Sequence, residues 1–525
     1  MQRIKPFLPL LGALLVAVAR HLILIYSDSV PFTADEAVGA LMARHILQGR
    51  HMTFFYGQAY MGSLFAYVAA AGFLIIGESV DGMRLWQIPM YLAIIISAWW
   101  LARLWFADKR VADITAWLLA VPTVLVNTYL VSKFGNYGEI LLLGQLVLGL
   151  GYLVVFTDHG RRWWLWLLLG LCAGLGWWSL GMSGAYLLPV ALLGLWKFRR
   201  ENIPFYALAA TGFFIGSWPW WAYNFQNDWA ALHILGGLGR PEDRMDPFQR
   251  FLNFSLFGMS AVLGIRAPWL RVIYPLPISI AGVWFYLLAA VYAFRMKGLQ
   301  SAGLREPARR LLGLFTLLFP LIFSISNFGI NATGRYLLPL ALPAALMVAV
   351  LILGLFNQKR IIGAAAMVFA LALNIVPTWM SARSPERLTS QFGPAIRFTN
   401  DYDEELIEFL IANDLTRGYS NVWVVFPIAF QSGERVIYSP EFPYYPPIWD
   451  PTDNRYPAYV AAADGSDRVA WVTTNVPDWD ESVRMWLEEE GLSYREHQIG
   501  PYHIFYDFPR ALRPEEFGYG DGVTP

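Results

Sequence analysis

Charged side chains are scarce in this chain of 525 residues. Asp, Glu, Lys and Arg together make up 15% of it, whereas soluble globular domains carry about 25%. Hydrophobic residues make up 56%, and the mean hydropathy is +0.42. The composition therefore predicts an α-helical polytopic membrane protein. The 39 basic and 39 acidic residues cancel, so no excess of charge points to a nucleic-acid partner.

Cysteine is nearly absent. The single Cys172 lies in the apolar run LLLGLCAGLGWW, which excludes a disulfide framework and disfavours a thiol role. The polar part of the chain after residue 380 also lacks a GxGxxG, Walker or Cys/His metal motif. Dinucleotide-binding, P-loop and zinc-finger functions are therefore not indicated for that part.

Long apolar runs are abundant instead, and each contains enough residues, about 17–25, to cross a bilayer. They lie at 6–26, 84–106, 111–131, 139–156, 163–180, 182–197, 203–223, 272–294, 310–328, 335–356 and 360–379. The first run contains Arg20 and His21 and lacks a small-x-small cleavage site, so it reads as an uncleaved anchor.

The segment 60–77 is apolar but ambiguous, and the positive-inside rule decides its assignment. If 60–77 lies along the interface, the basic loops at 109–110, 161–162, 197–200, 295–310 and 359–360 all fall on the side of the basic N-terminus. We therefore predict eleven spans, an interfacial or re-entrant helix at 60–77 and a cytoplasmic N-terminus. Some predicted outer loops are also basic, at Arg240, Arg244 and Arg250.

Residues 381–525 have the composition of a soluble α/β domain, so we divide the chain into a transmembrane domain, 1–380, and an extracytoplasmic domain, 381–525. The patterns predict helices at DYDEELIEFLIANDL and DESVRMWLEEEG. They predict strands at NVWVVF, RVIYSP, RVAWVTTN and YHIFYDF. The stretch EFPYYPPIWDPTDNRYP predicts an exposed loop. A lid or docking role without chemistry of its own is favoured for this domain.

The stretch PFTADEAVGALMARHILQGR, residues 31–50, follows the first span and predicts a short helix. Thr33 and Glu36 have the spacing of a capping box, in which each side chain satisfies a backbone donor of the other residue. That spacing gives Glu36 a structural task. Asp35 lies between them, and either stabilises the positive end of the helix dipole or acts chemically.

Other polar residues fall at the same predicted membrane face. FFYGQAYMGS places Tyr56, Gln58 and Tyr60 before the interfacial helix, and VSKFGNYGE places Lys133, Asn136 and Glu139 at the end of the third span. The loop GRYLLPL places Arg335 and Tyr336 at the start of a long apolar helix. An arginine at this position is commonly a snorkelling anchor, and Glu139 is also suited to the N-terminus of a helix.

The ordered set "DEA", "YGQAYMGS", "RLWQIP", "ADKR" and "GRYLLPL" resembles the GT-C membrane glycosyltransferases. The resemblance is greatest to the bacterial branch near the protein O-mannosyltransferases and lipid A aminoarabinose transferases. It covers the first half of the membrane part and residues 334–339, and is weak between about 200 and 310. That family transfers a sugar from a polyprenyl-phosphate donor to an acceptor at the outer face of the membrane.

The resemblance implies that Asp35 is the catalytic carboxylate, that Glu139 lies near the site and that Arg335 binds the donor phosphate. We therefore take Asp35 and Glu139 as the catalytic candidates. The donor-binding candidates are Arg335, Tyr336, Tyr56, Gln58, Tyr60 and Lys133. Some relatives have a lysine before the interfacial helix where this chain has Gln58, so Arg335 and Lys133 become the candidates for neutralising the phosphate. With Asp35 as a base and a cation at the departing phosphate, a single carboxylate predicts inversion. The acceptor, whether protein, lipid or glycan, is left open, as is the sugar.

Two further questions stay open from the sequence. The oxygens of Asp35, Glu36 and Glu139 are suited to a divalent cation, although no histidine or spacing pattern demands one. A transporter or flippase of lipid-linked saccharides is the alternative function, but transporters carry repeats and mid-membrane acids, whereas the acids here lie at the predicted rim. A catalytically inactive scaffold is a third reading.

Overall fold

The computed structural model describes residues 5–232, 245–268, 275–295, 297–331, 333–391, 400–444, 449–474 and 476–519. The predicted outer-loop cations Arg240 and Arg244 lie outside these residues. The chain divides into two compact units. The first unit comprises residues 1–30, 60–65 and 84–384, and the second comprises residues 31–59, 66–83 and 385–525.

Helices dominate the chain up to residue 382. Those before residue 227 are α1 (Leu8–Tyr26), α2 (Ala34–Leu47), α3 (Leu64–Ile76), α4 (Val80–Leu85), α5 (Gln87–Trp105), α6 (Arg110–Ala120), α7 (Val124–Val131), α8 (Tyr137–Phe156), α9 (Trp163–Ser179), α10 (Gly184–Trp196) and α11 (Ile203–Gln226). Later ones span Pro247–Leu252, Met259–Val262, Leu276–Phe294, Gly298–Ser301, Glu306–Ile325, Ala341–Gln358 and Arg360–Ala382. The last but one is preceded by a 3₁₀ turn, Arg335–Leu340.

Among the described residues, seven helical stretches are long and apolar enough to cross a membrane, or eight if the bent pair α6–α7 forms one span. The chain is thus an integral membrane protein. Of the other predicted spans, α9 and α10 are helices of 17 and 13 residues, shorter than a usual span. Helix α3 has 13 residues, about 20 Å of helix, and is too short to cross a bilayer about 30 Å thick. Its predicted interfacial position stays a prediction.

The segment predicted to span at 111–131 is not one straight helix, because α6 and α7 meet at an angle of 69°. Pro122 lies at the break, where a proline removes a backbone donor and clashes with the preceding turn. Carbonyls released there find other donors. The Tyr91 hydroxyl donates to the Leu119 carbonyl at 2.5 Å, and the side-chain amide of Asn374 donates to the Val121 carbonyl at 2.6 Å. These bonds make the break compatible with an apolar surrounding.

Helices α9 and α11 pack with their backbones in close contact. A Cβ atom on Gly174 would lie 2.1 Å from the Phe213 carbonyl oxygen, and one on Gly212 would lie 2.3 Å from the Leu167 carbonyl oxygen. Side chains larger than hydrogen are therefore excluded from this contact. Small residues spaced by four commonly permit such close packing between membrane helices.

The second unit contains a mixed sheet with the order β4-β3-β5-β7-β6. Its strands are β3 (Arg417–Tyr419), β4 (Ile437–Ser439), β5 (Ala470–Thr474), β6 (Arg495–Ile499) and β7 (Tyr502–Tyr506). Strand β3 pairs in parallel with β4 and β5, and β7 pairs antiparallel with β5 and β6. The accompanying helices are Asp403–Ala412, Val422–Gln431, Pro457–Asp464 and Pro477–Glu489. Two short strands, β1 (Phe54–Phe55) and β2 (Gln58–Gly62), form a separate small sheet.

Most predicted elements of the C-terminal part are confirmed, with two corrections. The predicted strand NVWVVF is a helix, Val422–Gln431. The Asn421 side chain accepts a hydrogen bond from the Trp423 amide, and this N-cap together with complete burial of the middle of the helix outweighs its β-branched composition. The predicted exposed loop at 441–457 is partly wrong, because Phe442 is 1% exposed and belongs to the core around Trp471. Residues 445–448 of that loop lie outside the described part.

Candidate functional site

Four tyrosines surround the side chain of Arg335 in the first unit. The guanidinium carbon lies 4.9 Å from the centre of the Tyr336 ring, and the cation interacts electrostatically with Tyr60, Tyr129 and Tyr137. Its Nε atom is buried and makes no hydrogen bond with any described residue. A guanidinium with a buried, unused donor among tyrosine side chains is well suited to hold an anion such as phosphate.

Aromatic contacts hold this cluster together. The rings of Tyr129 and Tyr137 meet edge to face at 5.3 Å. The ring of Phe328 lies 4.7 Å from that of Tyr336 and 6.1 Å from that of Tyr60. Each of these pairs falls within the range in which aromatic rings attract one another. Contacts between rings from several elements therefore fix the orientation of these tyrosine side chains.

Gly334 allows the chain to turn into the 3₁₀ helix that carries Arg335. Its φ of +84° lies in the left-handed region, which residues with a Cβ disfavour. A Cβ atom there would also lie 2.9 Å from the Cβ atom of Ala261. The backbone conformation therefore explains the glycine of the GRY sequence. The turn places Arg335 and Tyr336 at the start of a helical stretch, Arg335–Gln358.

An apolar cavity of about 210 Å³ adjoins this arginine–tyrosine cluster. Tyr336 and Phe328 contribute to both the cluster and the cavity wall. Trp177, Met182 and Phe319 are among the other lining residues. A cation beside an apolar cavity is the arrangement that a lipid phosphate requires, since its headgroup is charged and its chain is not.

Lys133 and Glu139 form a buried ion pair in the same unit. Both residues are 2% exposed, and the Lys133 ammonium donates to Oε1 of Glu139. The second carboxylate oxygen, Oε2, is buried without a hydrogen bond from any described residue. The two residues predicted to serve catalysis and donor binding are thus brought together, and each neutralises the other.

Asn136 fixes the loop between these two residues. Its side-chain amide donates to the carbonyls of Gly62 and Ser179, at 2.5 and 2.9 Å. Its side-chain oxygen accepts from the Phe65 amide at 2.9 Å. Gly135 adopts a φ of +57° here, and a Cβ atom on it would lie 2.3 Å from the Met61 sulfur. The loop has little freedom to move without breaking these contacts.

The start of α2, in the second unit, places Thr33 and Asp35 as predicted but without the capping box. Thr33 occupies the N-cap position in an extended conformation, but its side chain forms no capping hydrogen bond, and Glu36 is fully buried. The predicted capping hydrogen bond of Thr33 is therefore wrong. Asp35 is half-buried, whereas every other residue of Ala34–Ile46 is buried. Of the two adjacent acids, only Asp35 is accessible.

Tyr56 belongs to a hydrogen-bonded chain within the second unit. Its hydroxyl lies 2.6 Å from Nδ1 of His45, whose Nε2 lies 3.0 Å from Oε1 of Glu434. Because a carboxylate only accepts, Nε2 donates and Nδ1 accepts from the Tyr56 hydroxyl. Burial raises the pKa of the Tyr56 phenol. Burial also acts to raise the pKa of Glu434, but hydrogen bonds from His45 and Tyr459 and the charge of Arg44 outweigh it and keep that pKa below its usual value.

This series of hydrogen bonds through Tyr56, His45 and Glu434 concerns two of the sequence predictions. Tyr56 was a candidate for donor binding, and its hydroxyl is used by His45, which is 0% exposed. Gln58 opens the strand β2, which also carries Tyr60. His45 and Glu434 were not predicted as site residues, since 389 positions separate them and neither lies in a motif. Tyr129 and Tyr137 were also missed, although both lie close to the acid and lysine that the sequence did single out.

No group of three or more His, Cys, Asp or Glu side chains able to hold a metal ion occurs among the described residues. Glu139 is paired with a lysine instead of a second carboxylate. Asp35 and Glu36 are adjacent on α2 but differ in exposure.

No family model matches this chain, and no curated protein matches it in sequence. Its structure is similar to that of ArnT from Cupriavidus metallidurans in the apo state, with a TM-score of 0.58 at 14% identity over 94% of this chain and 97% of that one. The same protein bound to undecaprenyl phosphate gives a TM-score of 0.54 at 14% identity, covering 94% and 98%.

A third similar structure is the oligosaccharyltransferase of Archaeoglobus fulgidus in complex with Zn and sulfate. The TM-score is 0.52 at 14% identity, covering 96% of this chain and 73% of that one. Both proteins are GT-C superfamily members. The chain therefore has the fold of the GT-C membrane glycosyltransferases, as the ordered sequence pattern predicted.

Proposed function

We propose that this protein is a glycosyltransferase that moves a sugar from a polyprenyl-phosphate donor to an acceptor at the outer face of the membrane. The fold supports a transferase of this class, since the similar ArnT structure covers nearly the whole of both chains and one of its forms holds undecaprenyl phosphate. Fold similarity alone leaves the activity open, so the proposal depends on the site.

The observation that carries the proposal is the position of Arg335 beside an apolar cavity. Its guanidinium has an unused buried donor, and its neighbour Tyr336 lines the cavity. A departing polyprenyl phosphate gains negative charge, which a preorganised cation stabilises. Tyr336 and Tyr60 would then orient the phosphate through their hydroxyls. The first isoprene units would occupy the cavity.

Asp35 is the proposed base. It is the half-buried acid of α2, and a carboxylate of this kind removes the proton from an acceptor hydroxyl as that oxygen attacks the anomeric carbon. The bond from that carbon to the phosphate oxygen breaks, and the phosphate leaves with the electron pair. Direct displacement by one nucleophile inverts the anomeric configuration.

The other predicted site residues receive supporting roles in this proposal. Glu139 and Lys133 neutralise each other, so they hold the loop around Asn136 and leave the phosphate to Arg335. Tyr56 and Gln58 precede Tyr60 and position the strand that carries it. We also propose a cytoplasmic N-terminus, an extracytoplasmic C-terminal domain and location in a bacterial plasma membrane, on the distribution of basic loops.

The test is transfer of label by the full-length protein in membranes. Membranes containing the protein are supplied with radiolabelled undecaprenyl-phosphate sugars (glucose, mannose and aminoarabinose in turn), and label leaving the lipid is measured. With the matching donor, Asp35→Asn should lose at least a hundredfold in rate, which is the usual scale of general-base catalysis.

Asp28→Asn is the matched control. Asp28 is exposed and has a φ of +52°, a conformation that asparagine tolerates well, so the control removes the same charge from a nearby site. Unchanged transfer by Asp35→Asn would remove Asp35 from the mechanism. If undecaprenyl phosphate neither co-purifies with the wild-type protein nor binds to it, the proposed donor class is wrong.

A further inference from the structure

A second site lies at the other end of α8 from Glu139. Two neighbouring cavities meet there, a polar one of about 570 Å³ and an apolar one of about 460 Å³. Val155, Trp166 and Tyr206 line both cavities. They therefore form one continuous surface that changes from polar to apolar. Helix α8 runs from Tyr137 to Phe156, so Val155 lies about 24 Å from Glu139 along the helix axis.

The polar cavity carries more positive than negative charge. Arg161, Lys197 and Arg199 line it, together with Asp158 and Glu201. Arg199 and Glu201 form an exposed ion pair at 3.4 Å, which contributes little. Arg161 and Lys197 form no ion pair with a described residue, and both are exposed. The Lys197 ammonium lies 5.1 Å from the centre of the Trp196 ring, a contact that leaves its hydrogen-bond donors available. Both cations can therefore bind an anion at the mouth of the apolar cavity.

The apolar cavity has the direction and reach of a lipid chain. Its wall runs along α8 from Val147 to Val155 and along α11 from Tyr206 to Phe213. These stretches extend about 10–12 Å from the polar cavity, which is most of one leaflet of the hydrocarbon core. The close α9–α11 contact through Gly174 and its neighbours makes one side of this groove rigid.

Aromatic side chains surround the place where the two cavities meet. Tyr206 lies against Trp166 at 5.1 Å and against Phe198 at 5.5 Å, and the Trp166 indole donates to the Gly160 carbonyl at 2.8 Å. Trp163 and Trp196 nearby are exposed. Aromatic residues with one polar edge concentrate at the headgroup level of membranes. The junction is therefore at the depth where a lipid headgroup meets its chains.

We propose that this surface binds an anionic glycerophospholipid, with its phosphate on Arg161 and Lys197 and an acyl chain in the groove lined by α8, α9, α10 and α11. Charge complementarity identifies the headgroup, because basic pockets between membrane helices attract anionic lipids. The apolar groove identifies the occupant as a lipid and not a soluble phosphate. The site is separate from Arg335 and does not depend on the proposed transferase activity.

Binding by the delipidated full-length protein in detergent tests the proposal. Native mass spectrometry compares phosphatidylglycerol with phosphatidylcholine of the same acyl chains, and we expect phosphatidylglycerol to bind at least tenfold more tightly. The double variant Arg161→Gln/Lys197→Gln should bind phosphatidylglycerol about 30-fold more weakly, since each cation near a membrane surface contributes roughly fivefold. Its binding of phosphatidylcholine should be unchanged.

Two further variants separate the possible results. Lys359→Gln removes an exposed cation that lines neither cavity and should leave the preference intact. Gly194→Leu should fill the groove without disturbing the backbone, because a Cβ atom on Gly194 would meet only Val155, at 3.9 Å, and should weaken phosphatidylglycerol binding at least tenfold.

Three outcomes would overturn the proposal. Equal binding of the two lipids would show that the cations play no part. A preference retained by the double variant would place the anionic lipid elsewhere. Wild-type affinity in Gly194→Leu, with competition by millimolar inorganic phosphate, would show that a free phosphate is recognised and that the groove is not used.

Discussion

Replacement of Arg335 tests the proposed donor site most directly, through binding of undecaprenyl phosphate without any acceptor or turnover. The variant Arg335→Gln loses the positive charge but keeps a side-chain amide that can donate a hydrogen bond. The guanidinium has a buried Nε without a hydrogen-bond partner among the described residues and lies 4.9 Å from the Tyr336 ring. We therefore expect the phosphate to receive its charge-assisted hydrogen bonds from this side chain.

The expected size follows from those bonds. A hydrogen bond to a charged group contributes about 1.5–3 kcal/mol, and the tyrosine hydroxyls that remain offset part of the loss. A net cost of about 2–3.5 kcal/mol corresponds to a dissociation constant raised roughly 30–300-fold. Arg335→Lys keeps the charge but not the planar pair of donors, so we expect a change of about tenfold.

Titration of the purified protein with undecaprenyl phosphate, followed by native mass spectrometry, supplies the dissociation constants. Arg250→Gln is the control, because Arg250 is also in the first unit and is not part of the arginine–tyrosine cluster. A dissociation constant for Arg335→Gln within twofold of the wild-type value would refute the reasoning. An equal loss for undecaprenol, which has no phosphate, would show a packing defect instead of a lost anion contact.

Two further predictions concern buried carboxylates. Lys133→Met should leave the Glu139 charge buried without its counter-ion, at a cost of about 3–5 kcal/mol, and so lower the yield of folded protein in size-exclusion chromatography. The double variant Lys133→Met/Glu139→Gln should recover most of that yield. No recovery would contradict the pairing. Burial raises the pKa of Asp403 from 3.8 to about 6, so the folded state holds this proton more tightly than the unfolded chain, and stability should fall by about 3 kcal/mol as pH rises from about 4 to about 6. Hydrogen exchange of Asp403–Ala412, corrected for the intrinsic rate, should show this fall in the wild type and not in Asp403→Asn; an equal fall in both would assign it to other groups.

The membrane part of the fold was largely predictable from composition and hydropathy. Long apolar runs specify helices that bury their backbone polar groups within themselves, and most of the predicted ranges are helices. The break between α6 and α7 was not predicted, because Pro122 kinks a membrane helix only as far as other donors accept the released carbonyls. Asn374, one of those donors, lies 253 positions from the carbonyl that it binds.

In the C-terminal part, local patterns failed where tertiary burial decided the conformation. NVWVVF contains the residues that favour strands, yet Asn421 caps a helix there. The short strands β3 and β6 were missed for a related reason, since β3 has three residues and the side chains of Arg495–Gln498 in β6 are exposed. Segments that are this short, or that are exposed on both faces, do not contain the alternation of apolar and polar residues that predicts a strand.

The sequence singled out the charged residues of the candidate site and two of its four tyrosines, Tyr60 and Tyr336, but missed the other two. Arg335, Glu139 and Lys133 were recognisable because charge is rare in membrane segments and is costly there. Tyrosines are common in this chain, 26 in all, so nothing in the sequence distinguished Tyr129 and Tyr137 from interface anchors. Their relation to Arg335 arises only when α7, the start of α8 and the 3₁₀ turn come together in the first unit.

The structure also gives different surroundings to the two acids that were the catalytic candidates, Asp35 and Glu139. Glu139 is 2% exposed and is held by Lys133, so a proton transfer to Glu139 would leave a buried ammonium without its counter-charge, which is unfavourable. Asp35 is half-buried and lies in the first turn of α2, where the N-cap residue Thr33 forms no capping hydrogen bond. A base that gains and loses a proton in each turnover needs such access. Physical chemistry therefore favours Asp35 for catalysis and a structural role for Glu139.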